Sequence, residues 1–407
     1  MQLADAPVVL MLLGLTAYMV LGGADFGTGI WELTAGSGAR GQALRDYAHT
    51  AMAPVWEANH VWLIFVLVVF WSAYPVAFGS VMSTLTVPLF LATVGIVLRG
   101  SAYALRTVAW GHRERGLIDN LFALSSVLTP FALGASIGGI ASGRVPIGNA
   151  AGNLLTSWLN PTSIVIGAIA VAAAAHLAAV YLAADATRAR QLALVPAFRA
   201  RALVSGMVTG ALALIGLAVL SGDAPHLFAG LRTGPGLAAV VVSGVAGLST
   251  LVLVWAQRYE PARYAGAGAV AAIIAGWAAA QQPDILPGLP VTAAAAGRST
   301  LITILVIVGV GGLIVVPSLA LLFSLFLHGR FDPGVEPAPA VAAPAGGPLP
   351  RTPAAILIVL LCGGVGLTIF TDGGWPLWLG IVALLVFVLV GFFVFTTAIA
   401  GTADRRS

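Results

Sequence analysis

Four ionisable residues sit inside long apolar stretches of the sequence. Asp25 lies in LGGADFGTG, Glu57 and His60 in APVWEANHVWL, and Arg99 in IVLRGSAYALR. A charge placed in lipid is costly and ordinarily faces protein or a water-filled space, so each is a candidate functional position. Carboxylates and imidazole are the side chains that pass protons near neutral pH once removed from bulk water, and Glu57 and His60, three residues apart, share one helical face. Asp25, Glu57 and His60 therefore have the chemistry of a proton relay. The spacing equally permits a structural reading, with Asp25 and Arg99 as an ion pair and Glu57 capping its helix at headgroup level. Trp56, directly before Glu57, is a further candidate, although a place in the interfacial aromatic belt fits it as well.

Other chemistries find little support in the residues. Of six histidines only His60 and His176 fall within apolar runs, and His176, alone in AVAAAAHLAAVYLAA, reads as a polar packing contact rather than a haem ligand. No HExxH or Walker sequence is present, and the glycine-rich stretches lack the preceding strand of a nucleotide-binding turn. The single cysteine, Cys362, can form no internal disulfide and no multi-thiolate metal site.

The elements that must hold these residues are membrane helices. The chain has 407 residues, 59% hydrophobic and 8% charged, with mean hydropathy +1.00. An ordinary soluble domain carries about a quarter charged residues, so this chain cannot cover a water-facing surface. Its basic residues are all arginine and exceed the acids by four, a balance that reads as membrane topology and not nucleic-acid binding. Eleven apolar runs are long enough to span: 7–33, 54–74, 80–106, 118–142, 162–185, 201–221, 236–257, 265–281, 300–327, 354–370 and 376–400. Loops alternating across the membrane place fifteen arginines on one side and three on the other. By the positive-inside rule the N-terminus is outside and the C-terminus cytoplasmic, in the cell membrane. All four buried ionisable groups then fall in the cytoplasmic half. The expected fold is all-α and polytopic: a nine-helix body over 1–330, a Pro/Ala/Gly-rich linker over 331–353, and a two-helix extension over 354–407. No loop is large enough for a soluble catalytic domain.

The same residues resemble subunit II of the cytochrome bd-type quinol oxidases. The matching stretches are GGADFGTG (Gly22 to Gly29), PVWEANHVWL (Pro54 to Leu63), LRGSAYALR (Leu98 to Arg106), NPTSIVIG through His176 into AAVYLAA, and PDILPGLPVTAAAA (Pro283 to Ala296). They run in the family's order over residues 1 to about 330. The resemblance implies a heterodimer with a haem-bearing subunit I, which holds haem b and haem d or variants of them and oxidises quinol, while oxygen is reduced to water. This chain would ligate no haem. It would support subunit I, carry cytoplasmic protons through Asp25, Glu57 and His60, and border the partner's haem region with Trp56, Asn59 and Arg99. A quinone or lipid could rest against it. The chain departs from the family at Gly22, where a second acid is common, and at His60, which replaces an acid. The two-helix extension is extra, and is expected to pack where small accessory subunits bind in related oxidases or to receive another partner. A proton-coupled secondary transporter is the competing reading, since broken helices and buried acids would also build a substrate site. It leaves unexplained why the ionisable groups cluster in the first three helices.

Overall fold

The computed structural model describes residues 2–36, 38–52, 56–106 and 112–327, with scattered positions between 356 and 390. The expected linker over 331–353 and much of the two-helix extension lie outside the described residues. The chain divides into two compact units, Met1–Val316 and Pro317–Ser407.

The first unit is a helical bundle. Its first span runs over Leu3–Leu33 as α1 (Ala6–Ala17), a π turn (Tyr18–Gly22) and α2 (Gly23–Leu33). Then follow α3 (Gly38–Met52), α4 (Trp56–Ala73), α5 (Pro75–Thr84), α6 (Thr86–Arg106), α7 (His112–Ala141), α8 (Pro161–Arg188), α9 (Val195–Asp223), α10 (Pro225–Leu231), α11 (Gly234–Trp255) and α12 (Tyr259–Gln281). A two-stranded antiparallel turn pairs β1 (Asp284–Leu286) with β2 (Leu289–Pro290), before α13 (Val291–Ala294) and α14 (Arg298–Leu327). Among the described residues seven helices are long and apolar enough to cross a membrane, or eight if the bent pair α5 and α6 counts as one. The fold is the expected all-α polytopic one.

Two local features differ from the sequence expectation. The run 80–106, read as one span, is broken at Leu85, where α5 and α6 meet at 82°. Pro88 in the first turn of α6 has no N–H to offer the carbonyl four residues back, so the helix cannot continue straight through this point. The bend is held from outside: the backbone N–H groups of Gly148 and Ala150 donate to Ser80 Oγ and Ser83 Oγ at 2.9 and 2.8 Å. The arginine-bearing stretch after the first span is also not a plain loop. It forms α3, which buries Leu44 and Ala48 against α8 while Arg40 stays exposed and Arg45 is half-buried, donating to the Gly36 carbonyl at 2.6 Å.

The centre of the unit is α8. Nearly every residue from Ala170 to Ala186 is buried, and most are alanine. Small side chains let α2, α7, α9 and α12 pack closely around it, the usual solution in lipid, where backbone approach and dispersion replace the hydrophobic drive. Ion pairs fasten the two ends. At one, Arg144 makes a two-pronged bond to Asp223 at 2.6 and 3.0 Å, and Thr162 donates to the same carboxylate from its N–H and its hydroxyl, joining the ends of α7, α8 and α9. At the other, Arg188 and Arg263 bridge Asp185 and Glu260, tying α8 to α12.

Candidate functional site

Glycine spacing positions the site. A Cβ at Gly27 would lie 2.0 Å from the Ala174 carbonyl oxygen, and one at Gly29 would lie 2.0 Å from Ser126 Oγ. With hydrogen in both places, α2 lies against the backbone of α8 and the side chains of α7. Trp31 reinforces the contact, donating its indole N–H to the Ala175 carbonyl at 2.7 Å. Asp25, two residues ahead of Gly27 on the same helix, is buried in this close contact.

There it meets Arg99 of α6. Arg99 Nε donates to Asp25 Oδ2 at 3.0 Å and Nη2 to Oδ1 at 2.8 Å, a fork-to-carboxylate pair in which both residues are 3% exposed. Nη2 also donates to the Asp25 carbonyl at 2.7 Å, and Nη1 to Ser126 Oγ at 2.5 Å. The guanidinium lies 4.1 Å from the Phe122 ring centroid and 5.0 Å from that of Phe26, which adds cation–π attraction. The ion-pair reading of Asp25 and Arg99 describes this geometry. A paired, fully hydrogen-bonded charge is also the form in which a buried ion is tolerated.

The polar core extends to both sides of this pair. Glu32, two turns beyond Asp25 on the same face of α2, is buried, and His49 Nδ1 of α3 lies 3.7 Å from Glu32 Oε1. The His49 ring sits edge-on to Phe122. On the other side, the His60 ring lies edge-on to Phe26 and to Tyr18, both at 6.2 Å. Asn59 Nδ2 donates at 3.3 Å to the Leu21 carbonyl in the π turn, where the wider helix hydrogen bonding leaves a carbonyl open to a side chain. Asp25, Arg99, Asn59 and His60 thus share one neighbourhood. Trp56 and Glu57 lie in the first turn of α4, one turn ahead of His60, and their side chains lie outside the described residues.

Sequence reasoning passed over Glu32, His49, Tyr18 and Ser126. Glu32 had a signal, its seven-residue spacing from Asp25. Ser126 had none, because only the folded contact between α2 and α7 brings it to Arg99.

His176 is a packing residue in this fold: its Nδ1 is 2.9 Å from the Ala202 carbonyl oxygen, and a Cβ at Gly206 would lie 2.7 Å from the imidazole Cε1, so α9 closes over the ring. That contact agrees with the packing role expected of His176. Among the described residues no group of three or more His, Cys, Asp or Glu could hold a metal ion.

Comparison with known proteins places this architecture. One chain of the solved bd oxidase structure from Geobacillus thermodenitrificans superposes with a TM-score of 0.61 at 24% identity, covering 81% of this chain and 99% of that one. At that identity the likeness speaks for the fold. No curated protein matches the chain. The family model described as cytochrome bd terminal oxidase subunit II matches residues 3–326, most of the length. The chain therefore belongs to the cytochrome bd terminal oxidase subunit II family.

Proposed function

We propose that this chain is the haem-free subunit of a quinol-oxidising, oxygen-reducing complex, and that it delivers cytoplasmic protons towards the haems of subunit I. The observation that carries the reading is the buried polar file on one side of α2: His49 and Glu32, then Ser126, Arg99 and Asp25, then His60 and Tyr18. At about 1.5 Å rise per residue Glu32 and Asp25 are roughly 10 Å apart along the helix, a gap that a short water chain crosses. Glu57, on the same face of α4 as His60, is the acid that links the file to the partner. The arginine excess read from the sequence supports a cytoplasmic side for the Glu32 end. Subunit I supplies the haems and the quinol site; Asn59 and Arg99, at 1% and 3% exposure, are enclosed within this chain and support the file from inside. The fixed pair of Asp25 and Arg99 is neutral as a unit and holds the file open without presenting a net charge to a passing proton.

The test is turnover in the assembled, haem-loaded heterodimer. Glu57→Gln and Asp25→Asn should each slow quinol-driven oxygen consumption by about a hundredfold, the low end of what loss of a proton-transfer group costs. Haem content and the reduced-minus-oxidised spectrum should stay unchanged in Glu57→Gln, whereas Asp25→Asn also leaves Arg99 without its carboxylate, so its turnover is compared per assembled haem. Unchanged turnover in both variants would make the chain a scaffold and end the proton-delivery reading.

A further inference from the structure

Tyr18 opens the π turn, and its ring lies over Gly22. A Cβ at Gly22 would lie 3.2 Å from Tyr18 Cδ2 and Cε2 and 3.7 Å from Asn59 Cβ. The Tyr18 ring and the Asn59 side chain therefore flank the bare backbone of Gly22. Both residues are sealed from solvent, Tyr18 at 2% exposure and Asn59 at 1%. Among the described residues neither the Tyr18 hydroxyl nor Asn59 Oδ1 has a hydrogen-bond partner. Asn59 Nδ2 is engaged by the Leu21 carbonyl, which fixes the amide and leaves its oxygen turned the other way. The Tyr18 ring is held edge-on by Phe26 at 6.4 Å and by His60 at 6.2 Å.

Two unsatisfied oxygens in one sealed neighbourhood are a specific demand. Each costs about 1–3 kcal/mol if left dry, and buried polar groups nearly always find protein or an ordered water. We propose that the Tyr18 hydroxyl and Asn59 Oδ1 bind ordered water beside Gly22. The hydrated phenol then serves as a relay group between His60 and Asp25. The inference rests on the proton-delivery reading and names a carrier within it. Transfer needs no ionised phenol. A proton arriving on the tyrosine oxygen from one water forms one O–H bond as the original O–H bond breaks towards the next acceptor, so charge passes and the residue is restored. The phenol connects the His60 side of the file with the Asp25 side across the glycine.

Tyr18→Phe in the haem-loaded heterodimer keeps the ring and removes only the hydroxyl. The readouts are the rate of proton uptake, followed with a pH-indicating dye as the fully reduced complex meets oxygen, and thermal melting. Uptake slowed about a hundredfold, with haem bands intact and melting unchanged or lower, is the expected result. Uptake within twofold of the unmodified complex, together with raised melting, would overturn the proposal, since deleting a dry, unsatisfied hydroxyl relieves a cost. Infrared difference spectra of the unmodified complex provide a check independent of the variant's folding. A water O–H band that shifts in oxygen-18 water and disappears in Tyr18→Phe or Asn59→Leu supports the proposal, and no such band overturns it. Glu57→Gln measured alongside separates the two levels. If it slows uptake while Tyr18→Phe does not, this inference alone falls; if neither slows uptake, the proton-delivery reading falls with it.

Discussion

Arg99 uses four of its five N–H donors within the protein, three on Asp25 and one on Ser126, and lies against two aromatic rings. Only the planar guanidinium can satisfy a carboxylate side on while reaching a carbonyl and a hydroxyl, and this fork fixes the separation of α2, α6 and α7. Removing one member strands the other as an unpaired buried charge, whereas removing both leaves an apolar gap. Arg99→Leu should therefore destabilise the complex by about 3–5 kcal/mol, while Asp25→Leu combined with Arg99→Leu should recover most of that loss. Thermal melting of the detergent-solubilised heterodimer, analysed as a double-mutant cycle, measures the coupling. Additive effects of the two substitutions would show that the pair does not hold the helices. Asp25 and Arg99 were both visible in the sequence as buried ionisable groups, yet their partnership was only one of two open readings. Their spacing along the chain says nothing about whether a guanidinium reaches across from α6; that is decided by the packing of α2 on α7.

At the scale of elements, the glycines of the first span set the packing, because a missing side chain lets one helix backbone approach another. Gly27 faces Ala174 and Gly29 faces Ser126, and both lie between the two acids of α2, Asp25 and Glu32. The bend at Leu85 was poorly legible in the sequence. Hydropathy averaged over a window sees Thr86, Val87 and Pro88 as part of one apolar stretch, although Pro88 interrupts the hydrogen-bond ladder. The helix α3 was missed for the opposite reason: its arginines mark a water-facing side, and only Leu44 and Ala48 reveal the face that packs on α8. The close approach at Gly27 makes a sharp prediction. Its Cβ would meet backbone atoms of Ala174 at 2.0 and 2.5 Å, which no rotamer change relieves. Gly27→Ala should thus abolish assembly or sharply lower haem content, measured from the reduced-minus-oxidised spectrum of isolated membranes. Gly210→Ala in α9 is the matched control, with nothing within 4 Å of the new methyl. It should assemble normally and gain up to about 1 kcal/mol from the better helix former.

For the whole molecule, the decisive asymmetry lies between body and extension. The family match ends at residue 326, and the bd oxidase chain is covered almost completely while about a fifth of this chain remains over. The packed features described above all belong to the first unit: the Asp25 and Arg99 pair, the alanine-rich α8, and the Arg144, Asp223 and Thr162 clamp. In the sequence, the Pro/Ala/Gly-rich segment from Asp332 to Pro353 separates the apolar runs on either side of it. What the extension touches was not legible, because an apolar helix shows that it seeks lipid or protein without showing which. If the extension packs where an accessory subunit would sit, it adds an interface to a body that already folds around its own core. Ending the chain after Arg330 should then leave insertion and haem content near normal while lowering the melting temperature of the purified complex, and that loss should be restored when residues 331–407 are co-expressed as a separate chain. Unchanged melting would assign the extension to a different partner. Loss of haem would instead make it part of the contact with subunit I.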